Sequence, residues 1–189
     1  MFSEMREALL RIIPDDKIDD LLLISRVKII ASNEYFVCEG EIPRKFAFVI
    51  SGLFRYVYIN EKGYEFTKGI ITKHSFISSY SSMISDSPSH FYIEALEDSE
   101  ILIIPYDKWK LLLEKDTFWI KLLLKFVEKG FKTKEKRERE LLLLNAETRY
   151  LNFLKEFPDL ENRISQSIIA SYLGIQPESL SRIKKNILT

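Results

Sequence analysis

The chain is 189 residues long, and its 28 basic residues are cancelled by 28 acidic ones. That length suits one good-sized domain, or one domain with a small appendage. A 46% hydrophobic share, with thirteen Phe and nine Tyr, supplies a core and excludes wholesale disorder. The balanced charge excludes a uniformly basic protein but leaves local basic patches open.

Cys38 is the only cysteine. It excludes an intrachain disulfide, a cysteine-based zinc site and a four-cysteine iron–sulfur cluster, and it suits a reducing cytoplasm. The N-terminal segment places Glu4, Glu7, Asp15 and Asp16 among its apolar residues, unlike the basic-then-apolar order of a signal peptide. Apolar runs such as those at 21–24 and 141–144 fall far short of the ~20 residues that span a bilayer. The expectation is a soluble cytoplasmic protein with no membrane partner.

In chain order, residues 3–30 read as short helices and connections broken at Pro14, with Ile12, Ile13, Ile18, Leu21, Leu22 and Leu23 at three- and four-residue spacing. From Val27 to Pro105 come short β-rich runs, EYFVC, FAFVI, LFRYVYIN, EFTKGII, FYIEAL and EILII, separated by Gly, Asn, Asp or Pro. Many short strands predict a sandwich, barrel or roll. Within 53–60, Phe54, Tyr56 and Tyr58 alternate with Arg55, Val57 and Ile59, and 60–63 supplies a hairpin turn. Eight of the fifteen residues in 75–89 are serine, which reads either as an ordinary polar loop with one helical turn or as a ligand loop.

After Pro105 the chain turns helical, with Trp109, Leu112 and Leu113 on a short helix. A longer helix is predicted over about 117–144, where Trp119, Leu123, Phe126 and Val127 form an apolar stripe. The C-terminal unit looks too small to cover that stripe, which predicts a homodimer along this helix. The charge run KTKEKREREL that follows excludes an unbroken coiled coil and reads as a solvated face. Helices at 147–156, 166–173 and 177–188 complete the chain, with Ser165 a suitable N-cap and Pro177 at a first helical position.

The most informative stretch is IASYLGIQPESLSRI. Ala170 lets two helices approach, Gly174 permits a left-handed turn, and Leu180 closes the pair, with Ile169, Leu173, Ile175 and Ile183 completing a miniature core. With Leu180, Ile183 and Ile187 inward, Glu178, Ser181, Arg182 and Lys185 occupy the opposite face, which suits a major groove. A plain helical hairpin is the competing explanation of this spacing.

The string RISQSIIASYLGIQPESLSRIKKN, preceded by AETRYLNFLKEFP, resembles the C-terminal end of the Crp/Fnr superfamily of bacterial transcription regulators. CEGEIPRKFAFVISGLFRYVYINEKG resembles the early strands of that family's cyclic-nucleotide-binding roll, with Gly40 and Gly52 at its turn glycines, and FYIEALEDSEILIIP resembles the late strands. The resemblance spans about 25–189. It implies an α+β chain: an N-terminal antiparallel, jelly-roll-like β-roll flanked by helices over 1–116, a long dimerisation helix over 117–144, and a helix-turn-helix domain over 145–189. It further implies a homodimer that binds a double-stranded DNA operator, with an unnamed small-molecule effector an open partner.

By position, the family's base-reading Glu and Arg fall on Glu178 and Arg182, with Ser179, Ser181 and Lys185 beside them. A family Arg just before that Glu is Pro177 here, so a different operator is expected, and the chain's end at Thr189 leaves no room for a full β-wing. Family members that bind cyclic nucleotides use a Gly-Glu pair and an Arg, and the aligned positions are Ser78, Ser79 and Ser89. Without the Arg, the cyclic phosphate would be buried with no charged partner, so cyclic AMP is not expected to bind. Ser78, Ser79, Ser89 and His90 remain candidates for another polar ligand, against a self-filled pocket.

Two other classes compete. A cupin-like metallo-enzyme needs several His with a carboxylate, whereas His74 and His90 are the only histidines and no His-x-His occurs; nor is there a Gly-x-Ser-x-Gly elbow to pair a serine nucleophile with His90. No catalytic residue, metal or cofactor is therefore expected. The other alternative is a β-roll sensor or protein-interaction module with a non-functional helix-turn-helix.

Overall fold

The structure, a computed structural model, describes residues 2–188 and falls into two compact units, 2–58 with 69–123, and 59–68 with 124–188. No helix among the described residues is long and apolar enough to cross a membrane.

The first unit begins with α1 (Phe2–Leu10) and α2 (Asp15–Ile24), separated at Pro14. Arg6 ties them by reaching Asp15 at 2.7 Å and Asp19 at 2.9 Å. Eight strands follow: β1 (Arg26–Ile30), β2 (Tyr35–Val37), β3 (Lys45–Ser51), β4 (Leu53–Ile59), β5 (Glu65–Thr72), β6 (Phe76–Ile77), β7 (Tyr92–Ala95) and β8 (Ser99–Pro105). They form two four-stranded sheets in the orders β1-β8-β3-β6 and β2-β7-β4-β5. The period-two alternation sends Phe54 inward, where it joins Phe36, Val49, Ile93 and Ile101 in one apolar cluster. The expected roll is therefore present.

Residues 27–30, where the helical and the β-rich readings overlap, follow the β-rich one: 26–30 are extended and pair antiparallel with β8, Val27 opposite Leu102 and Lys28 opposite Ile101. The β-branched Val27, Ile29 and Ile30 favour a pleated edge, and β8 offers an open ladder to receive it.

Gly52, between β3 and β4, has φ +110°, and a Cβ there would lie 2.0 Å from Ser99 Oγ. Only glycine fits so close an approach. Across the β4–β7 pair, Arg55 opposes Glu94, and its Nε donates to the carboxylate at 2.6 Å with both residues buried. The unit closes with α3 (Tyr80–Ile84), α4 (Tyr106–Lys115) and the start of α5 (Thr117–Leu143). The Trp119 ring meets Trp109 edge-on at 5.6 Å.

In the second unit the β4–β5 turn is held by Asn60, whose Oδ1 accepts from the amides of Lys62 at 3.0 Å and Tyr64 at 2.9 Å, with Gly63 at φ +78°. After the rest of α5 come α6 (Ala146–Glu156), capped by Asn145 accepting from Thr148 N, then a 3-10 turn (Leu160–Asn162), α7 (Gln166–Leu173) and α8 (Pro177–Leu188). Tyr150, Phe153, Leu160, Ile169, Leu173 and Leu180 form its core.

Candidate functional site

The α7–α8 pair is built as its sequence requires. Ser165 Oγ accepts from Ile168 N at 3.3 Å to cap α7. Gly174 then leaves the helix at φ 66° and ψ 38°, and Ile175 N donates back to Ala170 O at 3.0 Å. This left-handed closure satisfies carbonyls that the helix end would leave orphaned. Ala170 and Leu180 are fully buried, so the two helices meet where the small and the large side chain were expected.

On α8, Glu178, Ser181, Arg182 and Lys185 are all exposed, three and four residues apart, and thus lie on one face. Ser179 is half-buried, and its hydroxyl accepts from Arg182 at 3.3 Å. Ile187, expected inward with Leu180 and Ile183, is instead 39% exposed. It lies two turns beyond Leu180, past the reach of the α7 core. Lys184 turns the other way, to Glu161 at 2.6 Å, and the Tyr150 hydroxyl donates to the same carboxylate at 2.5 Å. These two contacts hold the Glu161 carboxyl below its ordinary range. Residue spacing alone carried no signal for this latch.

The serine cassette lies in the first unit. Ser79 precedes α3, Ser89 precedes β7, and their hydroxyls stand 2.9 Å apart. Ser89 Oγ also donates to Phe91 O at 2.8 Å, while its own amide and carbonyl bond Glu41 O and Gly40 N at 2.8 Å each. Both serines are buried. The Ser89 hydroxyl is thus engaged with Ser79 and Phe91 within the protein. Ser78 N donates to the Tyr56 hydroxyl at 3.3 Å, and burial pushes that phenol up to about 12. Ser78 Oγ is buried with no hydrogen-bond partner. His90, next in the chain to the buried Ser89, is exposed. His74 sits at φ 62° and stacks 6.4 Å from Phe48.

The apolar stripe on α5 needs correction. Trp119 and Leu122 are buried within the first unit, and Leu123 and Phe126 are half-buried. The outward stripe is Ile120, Leu124, Val127 and Phe131, the last 67% exposed. Its 4-3-4 spacing is that of a two-helix seam, and it was legible in the sequence once the Trp119 face was assigned to the protomer's own core. Past it, Lys134 and Glu138 continue the same spacing as charges.

Residues 27–116 match the cyclic nucleotide-binding domain family. No curated protein matches the sequence. Among solved structures, the chain is similar to the c-di-GMP responsive global regulator CLP of Xanthomonas campestris, with 16% identity and a TM-score of 0.76 over 92% of this chain and 91% of that one. FixK2 of Bradyrhizobium japonicum gives 17% identity and 0.76 over 87% and 84%. The catabolite activator protein of Thermus thermophilus gives 16% and 0.60 over 96% and 86%. At these identities the likeness is one of fold.

Proposed function

We propose that the protein is a homodimeric, cytoplasmic, DNA-binding transcription regulator that does not respond to cyclic AMP, since residues 27–116 match the cyclic nucleotide-binding domain family and the chain has the fold of the Crp/Fnr regulators. The observation that carries the reading is the exposed face of α8, where Glu178, Ser181, Arg182 and Lys185 stand together on a helix locked by Leu180 and the Gly174 turn. A guanidinium on such a face suits the acceptor pair of guanine, a carboxylate suits the cytosine amine, and Lys185 suits a phosphate.

The outward stripe on α5 supports the dimer, because a self-complementary apolar seam on a long helix is covered by a second copy in parallel register. Two recognition helices are then presented to two half-sites. The serine cassette, bonded to itself, supports the lack of response to cyclic AMP.

Selection of bound duplexes from a random DNA pool tests the proposal. Enrichment of a two-fold-symmetric motif is expected. A pool that gains no motif would favour the alternative, a β-roll interaction module with a non-functional helix-turn-helix.

A further inference from the structure

Arg137 lies in the middle of a charge run that reads as solvated, yet its side chain is drawn inward. Nε donates to Lys68 O at 2.9 Å, and an NH2 group donates to Thr67 O at 3.2 Å and to Tyr172 O. The guanidinium carbon also stands 3.7 Å from the Tyr172 ring centroid. One cation therefore joins α5, the tip of the β4–β5 hairpin and the C-terminal end of α7. Tyr172 O belongs to the last turn of α7, where carbonyls lack helical partners and a cation is favoured.

Ser171 adds a second fastening one residue earlier. Its Oγ accepts from Thr67 N at 2.8 Å and donates to Glu65 O at 3.0 Å, so one hydroxyl stands in for a neighbouring strand. Burial lowers the Arg137 pKa, and the pull of Tyr172, Glu140 and Glu156 opposes that shift. Taking the hairpin away would strip the guanidinium of two of its three carbonyl partners, which is costly for a desolvated cation. Because α7 and α8 are joined by the closed turn at Gly174, whatever fixes α7 also fixes α8.

We propose that the hairpin tip, 59–68, is a positioning element of the DNA-reading unit: Arg137 and Ser171 fasten it to α7, and this docking sets the pose of α8 on DNA. The inference rests on the DNA-binding reading above. Neither residue lies on the α8 face, so both act through α7 and neither needs to touch a base.

The test uses the full chain with Ser171→Ala, Arg137→Gln and, as the conservative control, Ser171→Thr. Hydrogen exchange on the free protein should show the amides of 62–68 exchanging at least about tenfold faster in the Ala and Gln variants, with protection retained in the Thr variant. Unchanged exchange would overturn the docking. On a duplex enriched from the random pool, affinity should fall at least about fivefold in the same two variants and stay near the parent's for Ser171→Thr. Faster exchange with unchanged affinity would overturn the positioning role and leave the DNA reading standing. A parent protein that enriches no duplex would sink both.

Discussion

Lys184 and Glu161 face each other at 2.6 Å, and this pair ties α8 to the turn that precedes α7. Lys184 and the Tyr150 hydroxyl depress the Glu161 pKa, so the pair stabilises the fold fully above the ordinary glutamate value. That contribution is lost as pH falls through the ordinary value towards the depressed one. Glu161→Gln should cost about 1–2 kcal/mol near neutral pH, by the usual worth of charge-assisted hydrogen bonds. Urea denaturation of both proteins should show the gap closing as pH is lowered; a gap independent of pH would mean the carboxylate is not what matters.

Arg182→Ala should abolish preference at one base pair of each half-site, at about 1–3 kcal/mol of discrimination. Lys185→Ala should instead weaken selected and scrambled duplexes alike and reduce the salt slope. Binding titrations on both duplexes at several salt concentrations measure the two effects. An Arg182→Ala protein that keeps the parent's sequence preference would mean that this face does not read bases.

The seam on α5 is to be disrupted at Leu124 and Phe131, both exposed, rather than at Leu123 and Phe126, which are half-buried. Leu124→Glu with Phe131→Glu should give monomers by light scattering with the helical circular dichroism retained. Charges at Leu123 and Phe126 should lower stability before they alter assembly, since they enter the protomer's own packing. A dimer that survives the first pair of changes would place the interface elsewhere.

Calorimetry with cyclic AMP and cyclic GMP should show no micromolar binding. Ser89→Arg alone should not create it, because Ser89 is buried and its hydroxyl is bonded to Phe91 O and placed against Ser79. A guanidinium there would need both contacts broken and room opened around a buried side chain. Micromolar binding by the unaltered chain would overturn the account of the cassette.

Arg55 and Glu94 form a buried cross-strand pair within the roll. Removing one partner, as in Arg55→Met, should cost about 3–5 kcal/mol by leaving the buried Glu94 carboxylate without its cation, while Arg55→Met with Glu94→Leu should recover most of that loss. Thermal melts of the single and double variants decide it: a double variant no more stable than the single would show that the charge was not the cause.

Local chemistry explains why much of this was readable from residue order. Alternation in 53–59 dictates a strand, Pro14 and Pro177 mark helix boundaries through their fixed φ, and Gly174 with Ala170 and Leu180 specifies the helix-turn-helix, each within a window of a dozen residues or so. The exposed face of α8 follows from the same periodicity. Other features depend on what lies far away in the chain. Residues 26–30 are a strand because β8, more than seventy residues later, offers them a ladder. The amphipathic pattern of α5 holds two apolar faces, and nothing in the pattern says which one the protomer keeps until Trp109 is found against Trp119. Lys184 and Arg137 look like any solvated cations in their runs, yet Glu161 and the carbonyls of Thr67, Lys68 and Tyr172 turn them inward. A period reports which residues share a face, because it is set by backbone geometry alone. Which neighbour covers that face is set by long-range packing, and that exists only once the chain has closed on itself.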